Sequence, residues 1–205
     1  DRYNISVIVS IAPIFTGILA HFFLEGEKMK KSIVLGFVCA MAGICLITFQ
    51  KGETVELNPL GDFLGVAAAA IWGVYSICSR KIAGFGYDTI ITTRRTFFYG
   101  ILFMLCALPF MDFHLSLSAL LKPVNLGNII YLGVGASAIC FVTWNYAVKS
   151  LGATRASVYI YGIPVVTILM SIPLLHEVIT FQAMAGTVLT LVGLLISEWP
   201  FSPKK

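Results

Sequence analysis

The chain has 205 residues, of which 58% are hydrophobic and only 12% are charged. Soluble domains average about 45–50% apolar and about 25% charged residues. The 14 cations and 10 anions are too few to cover a water-facing surface of ordinary charge density. The composition therefore places the chain in a lipid bilayer. It excludes a soluble enzyme, a disordered chain and a nucleic-acid-binding protein, and the net charge of +4 is too small to imply a polyanionic partner.

Seven stretches of the sequence are long and apolar enough to cross a bilayer as helices. A crossing helix needs roughly 17–25 such residues, because the hydrocarbon core is about 30 Å thick. In chain order, the predicted spans are 5–24, 32–49, 63–79, 92–111, 126–148, 156–175 and 181–197. The predicted fold class is an all-α membrane protein with seven transmembrane helices.

Lysine and arginine are distributed unevenly between alternate loops. Eleven of them belong to one set of loops, namely Lys28, Lys30, Lys31, Arg80, Lys81, Arg94, Arg95, Lys149, Arg155, Lys204 and Lys205. The other set holds only Arg2, Lys51 and Lys122. Because cytoplasmic loops carry an excess of Lys and Arg, we expect the C-terminus in the cytoplasm and the N-terminal edge of the chain outside.

Two helix pairs, residues 11–47 and 161–197, resemble each other in sequence. The matched positions are Pro13 with Pro164, Thr16 with Thr167, Glu27 with Glu177, Gly36 with Gly186, and Gly43 with Gly193. The charge count puts the first pair's connection inside and the second pair's outside, so the pairs cross the membrane in opposite senses. Inverted repeats of this kind are typical of secondary transporters. The glycines, seven residues apart, predict close helix packing.

The two repeats are unequal in length, because the second has five predicted spans and the first shows only two. We therefore expect an N-terminally truncated chain whose intact form has ten spans in a 5+5 inverted repeat. The predicted organisation is the last two helices of the first repeat in 1–50, an outer loop in 51–60, the complete second repeat in 61–199 and a cytoplasmic tail in 200–205.

Three stretches of the sequence resemble the EamA-type transporters of the drug/metabolite transporter superfamily. They are AP…FTGILAHFFLEGEK…GFVCAMAGICLI, then GDFLGVAAAAIWGVYSICSRK, and lastly YLGVGASAICFVTWNYAVKSLGATRASVYIYGIPVVTILMSIPLLHE. The resemblance covers essentially the whole chain, although the turn Glu25-Gly26-Glu27 has one residue more than the usual Gly-Glu pair. It implies a ten-helix secondary transporter with both termini in the cytoplasm, which moves amino acids or other small metabolites, with export the expected direction.

The expected location is accordingly a bacterial plasma (inner) membrane. The expected partners are the lipid bilayer and a small-molecule solute, with a second copy of the chain as a candidate for a homodimer. No cofactor is expected.

Polar and aromatic side chains inside the predicted spans are the candidates for a solute cavity, because a polar group in hydrocarbon must meet a partner or water. They are Thr16, Trp72, Tyr75, Ser76, Trp144, Asn145, Tyr159, Tyr161 and Thr167. Trp72, Tyr75 and Ser76 share one helical face. The alternative role for the aromatic residues is packing, and for Asn145 it is an interhelix hydrogen bond.

Two prolines and three ionisable residues are candidates for a role in the conformational change of a transporter. Pro13 and Pro164 each remove a backbone hydrogen bond within a span and are hinge candidates, with a passive kink as the alternative. His21, His176 and Glu177 are coupling or gate candidates. The alternatives are an interfacial histidine for His21, and capping of the turn before the last span for the other two.

No catalytic or metal-binding residue is expected, because the sequence has no metal-ligand cluster, no phosphate-binding loop and no acidic residue in mid-span. The alternative is a non-transport seven-helix protein. A receptor is suggested by Asp1-Arg2-Tyr3, but this triplet precedes the first span on the outer side. An intramembrane enzyme is suggested by Ser137, but no histidine falls in the neighbouring membrane interior. We therefore predict a transporter that is not an enzyme.

Overall fold

The computed structural model describes residues 10–48, 58–110, 116–175 and 180–198, and the regular structure in these ranges is entirely helical. The helices are α1 (Ala12–Phe23), α2 (Lys31–Thr48), α3 (Pro59–Gly84), α4 (Thr89–Ala107), α5 (Leu117–Leu120), α6 (Pro123–Leu151), α7 (Ala153–Val158), α8 (Gly162–Leu175) and α9 (Phe181–Glu198). A 3-10 turn, Tyr159–Tyr161, joins α7 to α8, and Tyr131–Ile139 within α6 is π-helical. The predicted all-α class is confirmed for the described ranges.

Among the described residues, five helices are long and apolar enough to cross a bilayer. They are α2, α3, α4 together with its following 3-10 turn, α6 and α9. The predicted first span begins outside the described residues, and its described part, α1, has 12 residues. The predicted sixth span corresponds to α7 and α8 with the 3-10 turn between them. The count of seven spans and the 5+5 organisation therefore stay predictions.

Local capping explains why α3 and α4 begin before the apolar runs that predicted them. The Asn58 side chain accepts a hydrogen bond from the Gly61 amide at 3.1 Å, and the Asp88 side chain accepts one from the Ile91 amide at 3.0 Å. Asn and Asp are favoured at helix N-caps because their oxygens satisfy amides that have no partner inside the helix. These polar caps lie outside the hydrophobic windows, so the windows underestimate the helix lengths.

The chain divides into two compact units, which are described separately. The first unit comprises Asp1–Cys78 and Leu151–Lys205, and the second comprises Ser79–Ser150. Helices α1, α2, α7, α8 and α9 and most of α3 belong to the first unit. The end of α3, together with α4, α5 and nearly all of α6, belongs to the second unit.

In the first unit, α2 and α9 pack as an antiparallel pair through glycines. A Cβ atom at Gly36 would lie 2.6 Å from the Gly193 carbonyl oxygen, and one at Gly43 would lie 2.6 Å from the Gly186 carbonyl oxygen. In the reverse direction, a Cβ atom at Gly186 would lie 2.6 Å from the Gly43 carbonyl oxygen. Any larger residue would push the two backbones apart. The predicted close packing of these glycines is confirmed.

The buried core of the first unit lies where α2 meets α7 and the following 3-10 turn. It contains Ile33, Phe37 and Ile44 of α2 together with Val158 and Tyr161. The rings of Phe37 and Tyr161 meet edge to face, with centroids 5.8 Å apart and planes at 74°. This geometry is favourable for aromatic pairs, and it fixes the start of the α7–α8 segment against α2.

Candidate functional site

The candidates on α1 and α3 lie where these two helices approach closely. A Cβ atom at Gly73 would lie 3.3 Å from the Thr16 amide nitrogen, so α3 rests on the backbone of α1 at this point. Thr16 and Ser76 are both fully buried, with no exposed side-chain surface. Their hydroxyls donate to carbonyls of their own helices, Thr16 to Ala12 at 3.0 Å and Ser76 to Trp72 at 2.9 Å. Thr16 therefore belongs to the contact between α1 and α3, and both hydroxyls are satisfied locally.

The aromatic pair on α3 is half-buried. The ring centroids of Trp72 and Tyr75 lie 5.6 Å apart, with planes inclined at 41°. The structure therefore brings together two of the predicted cavity residues, and Ser76 follows directly on the same helix.

The three candidates around the α7–α8 junction have different environments. Tyr161 is 1% exposed, and its hydroxyl has no hydrogen-bond partner among the described residues. Tyr159, two residues earlier, is 51% exposed. Thr167 is exposed and donates to the Ile163 carbonyl at 2.9 Å. Burying a hydroxyl without a partner is costly, so Tyr161 has an unused capacity for one hydrogen bond.

The hinge candidates lie in the first turns of two helices. Pro13 is buried in the first turn of α1, where a missing amide costs nothing within the described helix. Pro164 is the third residue of α8, directly after the 3-10 turn Tyr159–Tyr161. Because Pro164 has no amide hydrogen, it cannot donate to the carbonyl four residues earlier. The backbone irregularity therefore precedes Pro164, within the predicted sixth span.

Of the gate candidates, the structure describes only His21. It is exposed near the end of α1, and its Nδ1 accepts a hydrogen bond from the Met29 amide at 3.4 Å. This bond ties the end of α1 to the turn that follows. His176 and Glu177 lie outside the described residues.

In the second unit, Asn145 joins three helices. Its Nδ2 donates to the Thr93 hydroxyl of α4 at 2.9 Å, and its Oδ1 accepts from the Ser79 hydroxyl of α3 at 2.6 Å. Asn145 is 7% exposed, and its neighbour Trp144 is half-buried. The amide thus forms the interhelix bonds that were the alternative to a cavity role.

The same amide also borders a small open cleft in the second unit. The residues that line the cleft are Ser79, Ile82, Ala83, Tyr87, Thr89, Thr92 and Asn145. The lining is uncharged and rich in hydroxyl groups. Sequence reasoning found only Asn145 of this set. The signal that it passed over is the hydroxyl residues at helical spacing on α4.

Two cations in the second unit bind backbone carbonyls. Arg80 Nη1 donates to the Lys149 carbonyl at 2.6 Å, and Lys149 Nζ donates to the Tyr87 carbonyl at 3.2 Å. Cations near a helix C-terminus are stabilised by its unpaired carbonyls and dipole. Arg80 therefore helps to close the C-terminal end of α6.

Glu27 bonds residues far away in the sequence within the first unit, and sequence reasoning did not single it out as a site residue. Its carboxylate accepts hydrogen bonds from the amides of Ala153 at 3.1 Å and Thr154 at 2.9 Å, and from the Thr154 hydroxyl at 3.1 Å. Glutamate in a turn after an apolar helix looks like an ordinary surface residue, and its partners are more than 120 residues away in sequence. Among the described residues, no group of three or more His, Cys, Asp or Glu could hold a metal ion.

Comparison with known families gives a match over nearly the whole chain. The sequence model of the EamA-like transporter family matches residues 2–49 and 59–199. One solved crystal structure resembles the fold with a TM-score of 0.75 at 20% sequence identity, covering 97% of this chain and 67% of the other. This likeness concerns the fold alone.

Several curated relatives bear names that describe transporters. An uncharacterized transporter of Archaeoglobus fulgidus is 31% identical over 192 residues, which are 93% of this chain and 66% of the relative. The uncharacterized transporter YyaM of Bacillus subtilis is 28% identical, covering 95% of this chain and 64% of the relative. A protein of Streptantibioticus cattleyicolor named "Probable terminal-alkyne amino-acid exporter" is 28% identical, covering 93% and 62%. The chain thus spans slightly less than two thirds of the length of these relatives.

Proposed function

We propose that this chain, which belongs to the EamA-like transporter family, transports small neutral metabolites or amino acids across a membrane by alternating access. The proposed direction is export, as in the name of the Streptantibioticus cattleyicolor relative. The proposed topology has the C-terminus in the cytoplasm of a bacterial cell, because Lys and Arg are concentrated in one set of loops.

The observation that carries this proposal is the reciprocal contact between α2 and α9. The repeat pairs Gly36 with Gly186 and Gly43 with Gly193, and in the structure Gly36 meets Gly193 while Gly43 meets Gly186. This exchange of partners is what a two-fold relation between equivalent helices produces. It supports an inverted repeat, and inverted repeats in membranes build transporters whose solute site lies between the halves.

The chemistry of the candidate residues supports a neutral solute. The cavity candidates offer aromatic rings, hydroxyl groups and one amide, and none of these cavity candidates carries a charge. Such groups bind a zwitterionic or uncharged molecule more readily than an ion with a net charge, which would need a counter-charge in a low-dielectric site. Tyr161 contributes a buried hydroxyl with no partner among the described residues.

The test is efflux from liposomes that contain the intact protein and are preloaded with labelled leucine, alanine, lysine or glutamate. We expect leucine or alanine to leave faster than from protein-free liposomes, and lysine and glutamate to be retained. If the folded protein moves none of the four, the transport proposal fails. If it moves lysine or glutamate instead, the neutral-solute proposal fails.

A matched pair of variants locates the site. Tyr159→Ala removes a tyrosine that is 51% exposed beside the α7–α8 junction, and Tyr146→Ala removes a tyrosine of α6 that is 64% exposed. An aromatic contact with the solute contributes about 0.5–1.5 kcal/mol. We therefore expect Tyr159→Ala to lower the efflux rate roughly 2- to 10-fold and Tyr146→Ala to leave it unchanged. Equal effects in both variants would contradict a solute role for Tyr159.

A further inference from the structure

The carboxylate of Glu27 replaces a cap that the N-terminus of α7 lacks. The N-cap residue of α7 is Gly152, which has no side chain to satisfy the first amides of the helix. Glu27 accepts hydrogen bonds from the first two of these amides, those of Ala153 and Thr154, and from the Thr154 hydroxyl. A negative charge at a helix N-terminus is favoured by the helix dipole as well as by the hydrogen bonds. We call these three contacts the Glu27 latch.

The absence of a side chain at Gly152 leaves room for the Glu27 carboxylate. Its φ of +92° lies in the region that side chains disfavour, and a Cβ atom there would lie 2.7 Å from the Glu27 Oε1. Only glycine therefore permits both this backbone conformation and the approach of the carboxylate. The latch therefore needs both Gly152 and Glu27, although these two residues lie in different repeats of the proposed transporter.

The turn that carries Glu27 is itself anchored. The Met29 amide donates to His21 Nδ1 at 3.4 Å, and the Met29 side chain packs against the core around Phe37. The carboxylate is therefore presented from a turn with two fixed points. On the other side of the latch, Ala153 and Ser157 of α7 are fully buried.

The two repeats thus meet in the first unit through two contacts of different kinds. The α2–α9 contact is an interlock of backbones at Gly36, Gly43, Gly186 and Gly193, which cannot separate without opening a void. The Glu27 latch is a small set of hydrogen bonds at one end of the helices, and water can replace these bonds when they break. The first contact is therefore expected to stay intact when the protein changes conformation, and the second is expected to break and re-form.

We infer that Glu27 is a positioning residue whose carboxylate holds one membrane face of the transporter closed, and that the latch opens when the protein changes to the state that is open at that face. This inference rests on the proposed function, because it assigns the latch to one of two alternating states. Contacts made in only one state are what set the balance between two conformations.

The test uses two cysteine reporters in the intact protein after its native cysteines have been replaced by alanine. Ser157→Cys reports from α7 behind the latch, where the serine is fully buried. Ser6→Cys reports from the position that the repeat offset of Pro13 and Pro164 aligns with Ser157. Each reporter is labelled in lipid nanodiscs with a small charged methanethiosulfonate, which reaches both faces but does not enter the bilayer.

Glu27→Gln is compared with Glu25→Gln, an identical chemical change two residues earlier in the same turn. Weakening the latch about tenfold turns a 1:9 balance of states into about 1:1. Labelling of Ser157→Cys then rises about fivefold, and labelling of Ser6→Cys falls to about half. Glu25→Gln leaves both rates unchanged, because no hydrogen bond of Glu25 occurs among the described residues.

The opposite changes in labelling rate at the two reporters distinguish a latch that opens in one state from a cap that only stabilises the fold. If Glu27→Gln accelerates labelling at Ser157→Cys alone, or at neither position, the inference is wrong. Should Glu27→Gln fail to fold, Thr154→Val removes one of the three bonds and is compared with Thr96→Val, which removes a bond within α4 only. The same reciprocal change is then expected at smaller amplitude, and its absence is equally decisive.

The labelling needs no transported solute, so it stands apart from the efflux test. A folded protein that moves no solute but shows the reciprocal shift would refute the proposed function and keep the latch. Efflux without the reciprocal shift would keep the proposed function and refute the latch.

Discussion

Asn145 shows how one polar side chain in an apolar helix can determine the packing around it. Its amide is 7% exposed and bonds both Ser79 and Thr93. The Thr93 hydroxyl accepts from Asn145 and also donates to the Thr89 carbonyl of its own helix at 2.7 Å. Interhelix hydrogen bonds in membranes contribute about 0.6 kcal/mol on average and rarely more than about 2 kcal/mol. The two bonds of Asn145 together are therefore a modest but specific stabilising element of the second unit.

Replacing Asn145 by alanine removes both bonds and deprives the Ser79 hydroxyl of this acceptor, while the Thr93 hydroxyl keeps its bond to the Thr89 carbonyl. We expect a loss of about 1–2 kcal/mol in the free energy of unfolding, measured by reversible denaturation in detergent micelles. Asn128→Ala, in the exposed part of the same helix, is the matched control. If the two variants were equally stable, the assigned role of Asn145 would be wrong.

At the scale of single residues, sequence reasoning identified Asn145 but could not choose between a cavity and a hydrogen-bonding role. That choice depends on Ser79 and Thr93, which lie 66 and 52 residues away in the chain. Glu27 was not recognised as a site residue for the same reason. Its role is defined by an uncapped helix that starts at Ala153, and nothing in the turn itself indicates that partner.

The helix pair α2–α9 is the element whose packing was most predictable. Glycines seven residues apart stay on one helical face, so close packing at this face of each helix was predicted, but not that the two helices pack against each other. The same reasoning fails for α6, where nine residues, Tyr131–Ile139, adopt π-helical geometry. Their apolar sequence differs little from an ordinary span, so the hydrophobic pattern carries no signal for the change.

The α7–α8 junction was predicted in part. The sequence indicates an irregularity at Pro164, and the structure has the 3-10 turn directly before it, at Tyr159–Tyr161. Hydropathy could not divide the segment into two helices, because a missing amide changes the backbone without changing the apolar character of the residues.

Gly43→Ala tests the closeness of the α2–α9 contact. The added Cβ atom would lie 2.6 Å from the Gly186 carbonyl oxygen, so the helices must move apart. We expect destabilisation by about 1–3 kcal/mol, seen as a lower melting temperature in detergent. The control is Gly100→Ala in α4, where a Cβ atom meets nothing within 4 Å and alanine favours the helix. A melting temperature of Gly43→Ala at or above that of Gly100→Ala would rule out the interlock.

At the scale of the whole molecule, charge and repeat give a consistent account of direction. The described end of the first unit that carries the Glu27 latch also carries Lys28, Lys30, Lys31 and Arg155. Because positive residues are concentrated on cytoplasmic faces, we propose that the face closed by the latch is the inner one. Composition predicts a membrane protein, and the matched positions in the sequence predict the repeat. The identity of the solute depends on the placement of a few side chains, which no sequence pattern reveals.

Counterflow distinguishes a carrier that moves its solute by alternating access, as proposed here, from a channel. Liposomes containing the intact protein are loaded with unlabelled leucine and diluted into a trace of labelled leucine. Because the carrier exposes one site to each side in turn, labelled leucine should accumulate transiently above its equilibrium level and then decline. A steady approach to equilibrium with no overshoot, as through a channel, would show that the protein does not work by alternating access.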